Sequence, residues 1–177
     1  MGKIAFIATD STPKYLIVNV TVPAGGLSAG DIVLADTVDT TDTRNFSVRK
    51  ATAPATANLG SRMYMILSGG EFETLADGRR PAGNPNYGTF GYAKGEVAPA
   101  VLLVEGLQLW ISDGATSGTP AVGNFLEPVN GTKVPTIKAS RTAGTTTGLK
   151  VLYKKQQRAG GKFGGQFEIG SYVQVVL

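Results

Sequence analysis

The chain has 177 residues and a formal net charge of +4 at pH 7, and its length suits one domain with a core of its own. It contains no cysteine and no histidine, which excludes disulfides, thiolate or imidazole metal ligands, and Ser-His-Asp or Cys-His catalytic groups. Only carboxylate or lysine chemistry stays open to an enzyme, whereas abundant threonine and 24 glycines favour strands joined by tight turns.

Residues 1–13 are predicted to form an extended arm. Lys3 precedes a short apolar stretch in which Ile4, Phe6 and Ile7 are expected to be exposed and have no obvious strand partner in the sequence. The stretch is too short for the apolar region of a signal peptide, and no apolar run in the chain is long enough to span a bilayer. We therefore expect no membrane contact.

Residues 14–131 are predicted to form a β core. A period of two over positions 14–22, with Leu16, Val18, Val20 and Val22 on one strongly apolar face, predicts its first strand. Further short strands, separated by turn residues, are predicted over residues 32–35, 46–50, 62–67, 101–104 and 107–111. Residues 79–91, which are rich in Gly, Pro and Asn, predict a long irregular loop.

Charge is distributed unevenly along the chain. Residues 132–177 carry eight basic residues and one acid, Glu168, and the change in charge coincides with the turn sequence Asn130-Gly131. We place a boundary there. Within the basic segment, strand-like residues 149–155 and 166–177 flank a glycine-rich tip, which predicts a hairpin. The predicted fold is all-β: a small antiparallel β-barrel or sandwich core with an extended N-terminal arm and a basic C-terminal β-hairpin.

Four basic residues near the hairpin tip are candidate partner-binding residues: Lys154, Lys155, Arg158 and Lys162. Docking onto an acidic protein surface is favoured because a glycine-rich tip adapts to a neighbour but offers no rigid stacking platform. A merely solvated hairpin stays open, as does a single-stranded nucleic acid stacked on Tyr153 or Phe167. A carbohydrate-binding β domain that uses exposed aromatic residues such as Trp110 or Tyr87 is a further alternative.

Three patterns resemble known sites but lack a required part. The aspartates over residues 36–42 have neither the spacing nor the glycine of a calcium loop. Glu71 and Glu73 form a carboxylate pair without any other feature of a sugar-cleaving site. In Gly160–Lys162 the lysine is not followed by the Ser or Thr that a phosphate loop needs for magnesium. We therefore predict no catalytic residue, no metal site and no cofactor.

Four stretches between residues 28 and 131 form an ordered pattern: the turn Ala29-Gly-Asp31 before a strand, Val48–Asn58, Gly95–Ala98 before a strand with Trp110, and Ala121–Phe125. In this order they resemble the small β-barrel decoration, or cement, proteins of tailed-phage capsids. The resemblance implies a non-enzymatic protein on the capsid exterior of the virion. It implies the major capsid protein as partner, bridging of its subunits, and a homo-oligomer with a trimer favoured. It also implies that the N-terminal arm docks onto this partner, through Lys3, Ile4, Phe6 and Ile7. The basic hairpin lies outside this pattern.

Overall fold

A computed structural model describes residues 3–8, 16–40, 48–55, 62–68, 91–143, 147–159 and 166–177, without the side chains of 157–159 and 166–167. Within these ranges the fold is all-β, as predicted, with 3-10 conformation only at Leu16 and over Asp113–Ala115. The strands in chain order are β1 (Ala5–Ile7), β2 (Ile17–Thr21), β3 (Leu27–Ser28), β4 (Ile32–Val33), β5 (Val48–Lys50), β6 (Tyr64–Ile66), β7 (Gly91–Tyr92), β8 (Val97–Leu102), β9 (Gln108–Ser112), β10 (Phe125–Val129), β11 (Thr132–Lys138), β12 (Gly148–Ala159) and β13 (Gln166–Val176).

The strands form two main sheets. The large sheet has six strands in the order β1-β9-β13-β12-β10-β11, and all its neighbours are antiparallel. The second sheet has five strands in the order β4-β6-β8-β2-β5, with the β2–β5 pair parallel and the other pairs antiparallel. Strands β3 and β7 pair as a separate short ribbon. The arrangement is consistent with the predicted barrel or sandwich.

The main hydrophobic core contains side chains from both sheets. The large sheet contributes Leu109, Ile111, Leu126, Leu149, Val151, Val173 and Val175. The second sheet contributes Ile32, Met65 and Val101. Alternation along β12 and β13 directs these valines and Leu149 to one face, and full burial of each such side chain contributes about 1.5–3 kcal/mol. The core therefore fixes the base of the C-terminal hairpin.

The described part of the predicted arm is a strand of the large sheet. Strand β1 pairs with β9, and Ile4 and Ala5 are fully buried. The Ile4 N–H donates to Ser112 Oγ, and the Ser112 N–H donates to the Ile4 carbonyl, each at 2.9 Å. The expectation that Ile4, Phe6 and Ile7 lack a strand partner was wrong, because their partner lies about a hundred residues later in the chain. Residues 1–2 and 9–13 lie outside the described ranges.

The predicted C-terminal hairpin is present, because β12 and β13 pair along their whole length. The turn at Asn130-Gly131 lies inside a second hairpin, between β10 and β11. Strands from both sides of this turn share one sheet and one core. The change in charge near residue 131 is therefore not a boundary of the fold. Of the predicted loop at 79–91, only Gly91 is described, and it begins β7.

Candidate functional site

The β12–β13 hairpin extends past its neighbours in the large sheet. Pairing between β10 and β12 ends at Lys150, with two further backbone bonds to Val151. Pairing between β9 and β13 ends at Gly170. Beyond these points, the two strands pair in the sheet only with each other, as far as the structure is described. The core thus holds the base of a ribbon whose outer part has no other strand beside it among the described residues.

One row of aromatic side chains crosses four strands of the large sheet. The register aligns Phe6 with Trp110, Trp110 with Tyr172, and Tyr172 with Tyr153. The rings of Phe6 and Trp110 stack with centroids 5.1 Å apart, and those of Tyr153 and Tyr172 stack at 4.6 Å. Trp110 is fully buried whereas Tyr153 is 48% exposed. The row therefore begins in a small core and ends at the surface of the hairpin.

Trp110 is held in place from several directions. It clusters with Ile4 and Phe6, and its indole Nε1 donates to the Lys155 carbonyl at 3.3 Å. The ring passes over Gly170, where a Cβ atom would lie 2.7 Å from Trp110 Cε2. Because Trp110 is buried, it cannot be the exposed sugar-stacking residue that the carbohydrate alternative required. Tyr87, the other residue named for that role, lies outside the described ranges.

The adjacent residues Lys154 and Lys155 have different environments. Lys155 is exposed, and its register position places it on the face of Tyr153. Lys154 lies on the opposite face, and its Nζ forms an ion pair with the Asp113 carboxylate, whose side chain is 1% exposed. The expectation that Lys154 binds a partner is therefore corrected, because its charge compensates a buried acid. The side chain of Arg158 and the whole of Lys162 lie outside the described residues.

A β-bulge determines which basic residues accompany the tyrosines. The register of β12 against β13 shifts between Val151 and Tyr153, so Leu152 is an extra residue. Past a bulge the alternation of faces is displaced by one position. Exposed Lys150 therefore shares a face with Tyr153 and Lys155. We call four of the residues on this face the tyrosine–lysine surface: Lys150, Tyr153, Lys155 and Tyr172.

A polar cleft of about 550 Å³ lies elsewhere, where the Gly25-Gly26 turn approaches β11. Its lining includes half-buried Lys3 and Lys133 and the buried carboxyl of Asp31. Lys133 Nζ donates to the Gly26 carbonyl, and an Asp31 oxygen accepts from the Ser28 N–H at 2.8 Å. Burial raises the pKa of Asp31, and the Ser28 hydrogen bond and the two lysines only partly offset this rise. Lys3 is thus near an acid of its own chain.

We expect Asp31 to make the free energy of unfolding depend on pH. Because the pKa of Asp31 is raised in the folded state, the folded chain keeps this proton at pH values where the unfolded chain has lost it. The free energy of unfolding therefore falls as pH rises from 3.8 through the raised pKa. In Asp31→Asn the free energy of unfolding should decrease less with rising pH, and at neutral pH it should be higher than in the parent. Urea unfolding from pH 3.5 to 7 measures both effects. The exposed control Asp36→Asn should leave the fall in place; an equal slope in Asp31→Asn and the parent contradicts the prediction.

Of the residues in the three patterns that resemble known sites, the acids Asp36 and Asp39 lie in the described ranges. Asp39 is buried, and one of its oxygens lies 3.8 Å from Lys50 Nζ. Glu71, Glu73 and Gly160–Lys162 lie outside the described ranges. No cluster of three or more acidic side chains that could hold a metal ion occurs in the described part of the chain. In that same part, no helix has the length and apolarity that a bilayer crossing requires.

No family model matches the chain, and no curated protein or solved structure is significantly similar to it. Function is therefore argued from the surface chemistry of the hairpin and from the sequence pattern.

Proposed function

We propose that the chain is a non-enzymatic structural protein that binds the outer surface of a tailed-phage capsid and bridges subunits of the major capsid protein. The observation that carries the proposal is the projecting hairpin, which presents the tyrosine–lysine surface on strands anchored in the core. Aromatic residues in the centre with charges at the rim are typical of protein interfaces. The ordered sequence pattern over residues 28–131 supports the same function.

The charge of the hairpin favours an acidic capsid surface as partner. Strands β12 and β13, with the tip between them, contain five basic residues and a single acid. Tyr153 stacks on Tyr172, so the exposed ring is preordered and loses little freedom on binding. A homo-oligomer, with a trimer favoured by the resemblance, would present several hairpins to one shell. Repeated attachment then multiplies a modest affinity per copy.

Shells assembled from the major capsid protein of the same phage test the proposal. We expect Tyr153→Ala to weaken binding about tenfold, because it removes a central aromatic anchor. Lys155→Ser should weaken binding severalfold at low salt, and this difference should shrink at high salt because the native contact is itself screened. Cosedimentation of protein with shells across a salt series measures both effects.

Lys94→Ser is the matched control, since Lys94 is also exposed but lies in a turn before β8. It removes one positive charge and should leave shell binding unchanged. Absence of binding by the parent protein contradicts the proposed function. Tight oligonucleotide binding at physiological salt that Tyr153→Ala abolishes would replace it with single-stranded nucleic-acid binding.

A further inference from the structure

The hydrogen-bond register shows which backbone groups of β12 face outward. On the β9 side, the Val175 N–H donates to the Leu107 carbonyl, and the Val175 carbonyl accepts from the Gly106 N–H. Backbone groups of an antiparallel strand alternate in direction, so Tyr172 and Gly170 bond to β12. Their register partners are Tyr153 and Lys155, whose N–H and C=O groups are thereby used within the hairpin.

The alternate residues of β12 direct their backbone groups away from β13: Lys154, Gln156 and Arg158. We call the backbone of these three residues the β12 edge. On the same side of the strand, Val151 still bonds to Asn124 and Gly123. The bulge at Leu152 follows directly, and no strand among the described residues continues alongside the β12 edge. Three N–H and three C=O groups at strand spacing therefore have no strand partner within the described ranges.

We infer that the β12 edge binds an extended acidic segment of the major capsid protein by strand addition, an inference that rests on the proposed function. Backbone hydrogen bonds along an open edge provide affinity without requiring a deep pocket. Side chains at the edge select the partner. Next to the β12 edge the sequence provides Lys155 and Arg158 and no acid on β12, while the charge of Lys154 is already used by Asp113.

The charge of β12 selects against a second copy of the chain. Two β12 edges aligned side by side would place like charges opposite one another, which is destabilising in a sheet. An acidic strand would instead meet these cations with opposite charge. The tyrosine–lysine surface lies on one face of the same ribbon. One capsid segment can therefore pair with the β12 edge while an adjacent part of the capsid covers Tyr153. The charges and the open backbone of β12 therefore favour an acidic strand as the occupant.

Two substitutions at one position separate backbone pairing from side-chain contact. Gln156→Pro removes an outward N–H, whereas Gln156→Ala keeps it and removes the exposed side chain. We expect Gln156→Pro to weaken binding to shells at least about tenfold, which corresponds to losing one or two hydrogen bonds. Gln156→Ala should bind as the parent does. Circular dichroism and thermal unfolding check that both variants keep the sheet.

Hydrogen exchange provides a measurement that needs no variant. The shell-bound protein is exchanged, dissociated from the shells and analysed by residue-resolved mass spectrometry. We expect the amides of Lys154, Gln156 and Arg158 to exchange more slowly on shells than in the free protein. The amide of Lys155 already bonds to β13, so it should be protected in the free protein as well. This alternating pattern is expected for an added strand and not for contact through side chains alone.

The outcomes distinguish the inference from the function on which it rests. If the parent protein does not bind shells, the proposed function fails and the inference with it. If Tyr153→Ala weakens binding while Gln156→Pro binds normally, the function stands and strand addition is wrong. If Gln156→Pro does not fold, hydrogen exchange of the parent protein is the test. Strand addition is wrong if the amides of Lys154, Gln156 and Arg158 exchange as fast on shells as in the free protein. Gel filtration that shows dimers dependent on the β12 edge would replace the capsid segment with a second copy.

Discussion

Gly170→Ala is expected to lower the free energy of unfolding by about 3 kcal/mol, the upper range for overpacking a core. A Cβ atom at this position would lie 2.5 Å from the Ile111 carbonyl oxygen and 2.7 Å from Trp110 Cε2. The carbonyl belongs to the backbone of β9, so it cannot move away without shifting that strand. The indole ring is also restrained, since its Nε1 donates to the Lys155 carbonyl. Urea unfolding followed by Trp110 fluorescence measures the loss.

Gly148→Ala is the matched control in the same sheet. A Cβ atom at Gly148 would meet no atom closer than 3.7 Å, which is ordinary van der Waals contact. We expect this variant to unfold within about 0.5 kcal/mol of the parent, as most uncrowded substitutions do. Equal stabilities of Gly170→Ala and Gly148→Ala would mean that Trp110 does not pack over Gly170.

Lys154→Ala is expected to lower the free energy of unfolding by about 3 kcal/mol, because it leaves a buried carboxylate without its counter-charge. The Asp113 side chain is 1% exposed, and its Oδ2 has no hydrogen-bond partner among the described residues. The lysine itself is 26% exposed, which places the expected loss at the lower end for a buried pair. Thermal and urea unfolding at neutral pH measure the effect.

The neighbouring Lys155→Ala serves as the control for Lys154→Ala. Lys155 is exposed, so its removal should change stability by less than about 0.5 kcal/mol. Adding Asp113→Asn to Lys154→Ala should recover part of the loss, because the buried charge is then absent. If Lys154→Ala keeps full stability but detaches the protein from shells, Lys154 is a partner-binding residue, as its sequence position first indicated.

Local sequence signals predicted much of the fold. The alternation over residues 14–22 corresponds to β2, and the strand-like residues flanking the glycine-rich tip correspond to β12 and β13. These elements are encoded by residues that are neighbours in the sequence. The pairing of β1 with β9 has no such local signal, because it joins segments about a hundred residues apart. The burial of Ile4 and the sheet position of the predicted arm therefore could not be read from the sequence alone.

The candidate site was predicted only in part for a similar reason. The basic hairpin was visible in the sequence, but the bulge at Leu152 decides that Lys155 shares the face of Tyr153. The partner of Lys154, Asp113, lies 41 residues away in the sequence and gives no local signal. Gly170 did carry a local signal, because an isolated glycine inside a strand pattern indicates close approach by another group. That group is Trp110.

The position of β13 in the large sheet has a consequence for biosynthesis. Although β13 is the final strand in chain order, it occupies an interior place between β9 and β12. A nascent chain in which β13 has not yet emerged from the ribosome lacks the strand that joins β1 and β9 to the rest of the sheet. Such a sheet has mainly long-range contacts and cannot form progressively from the N-terminus. Products that terminate before β13 would therefore lack a continuous large sheet.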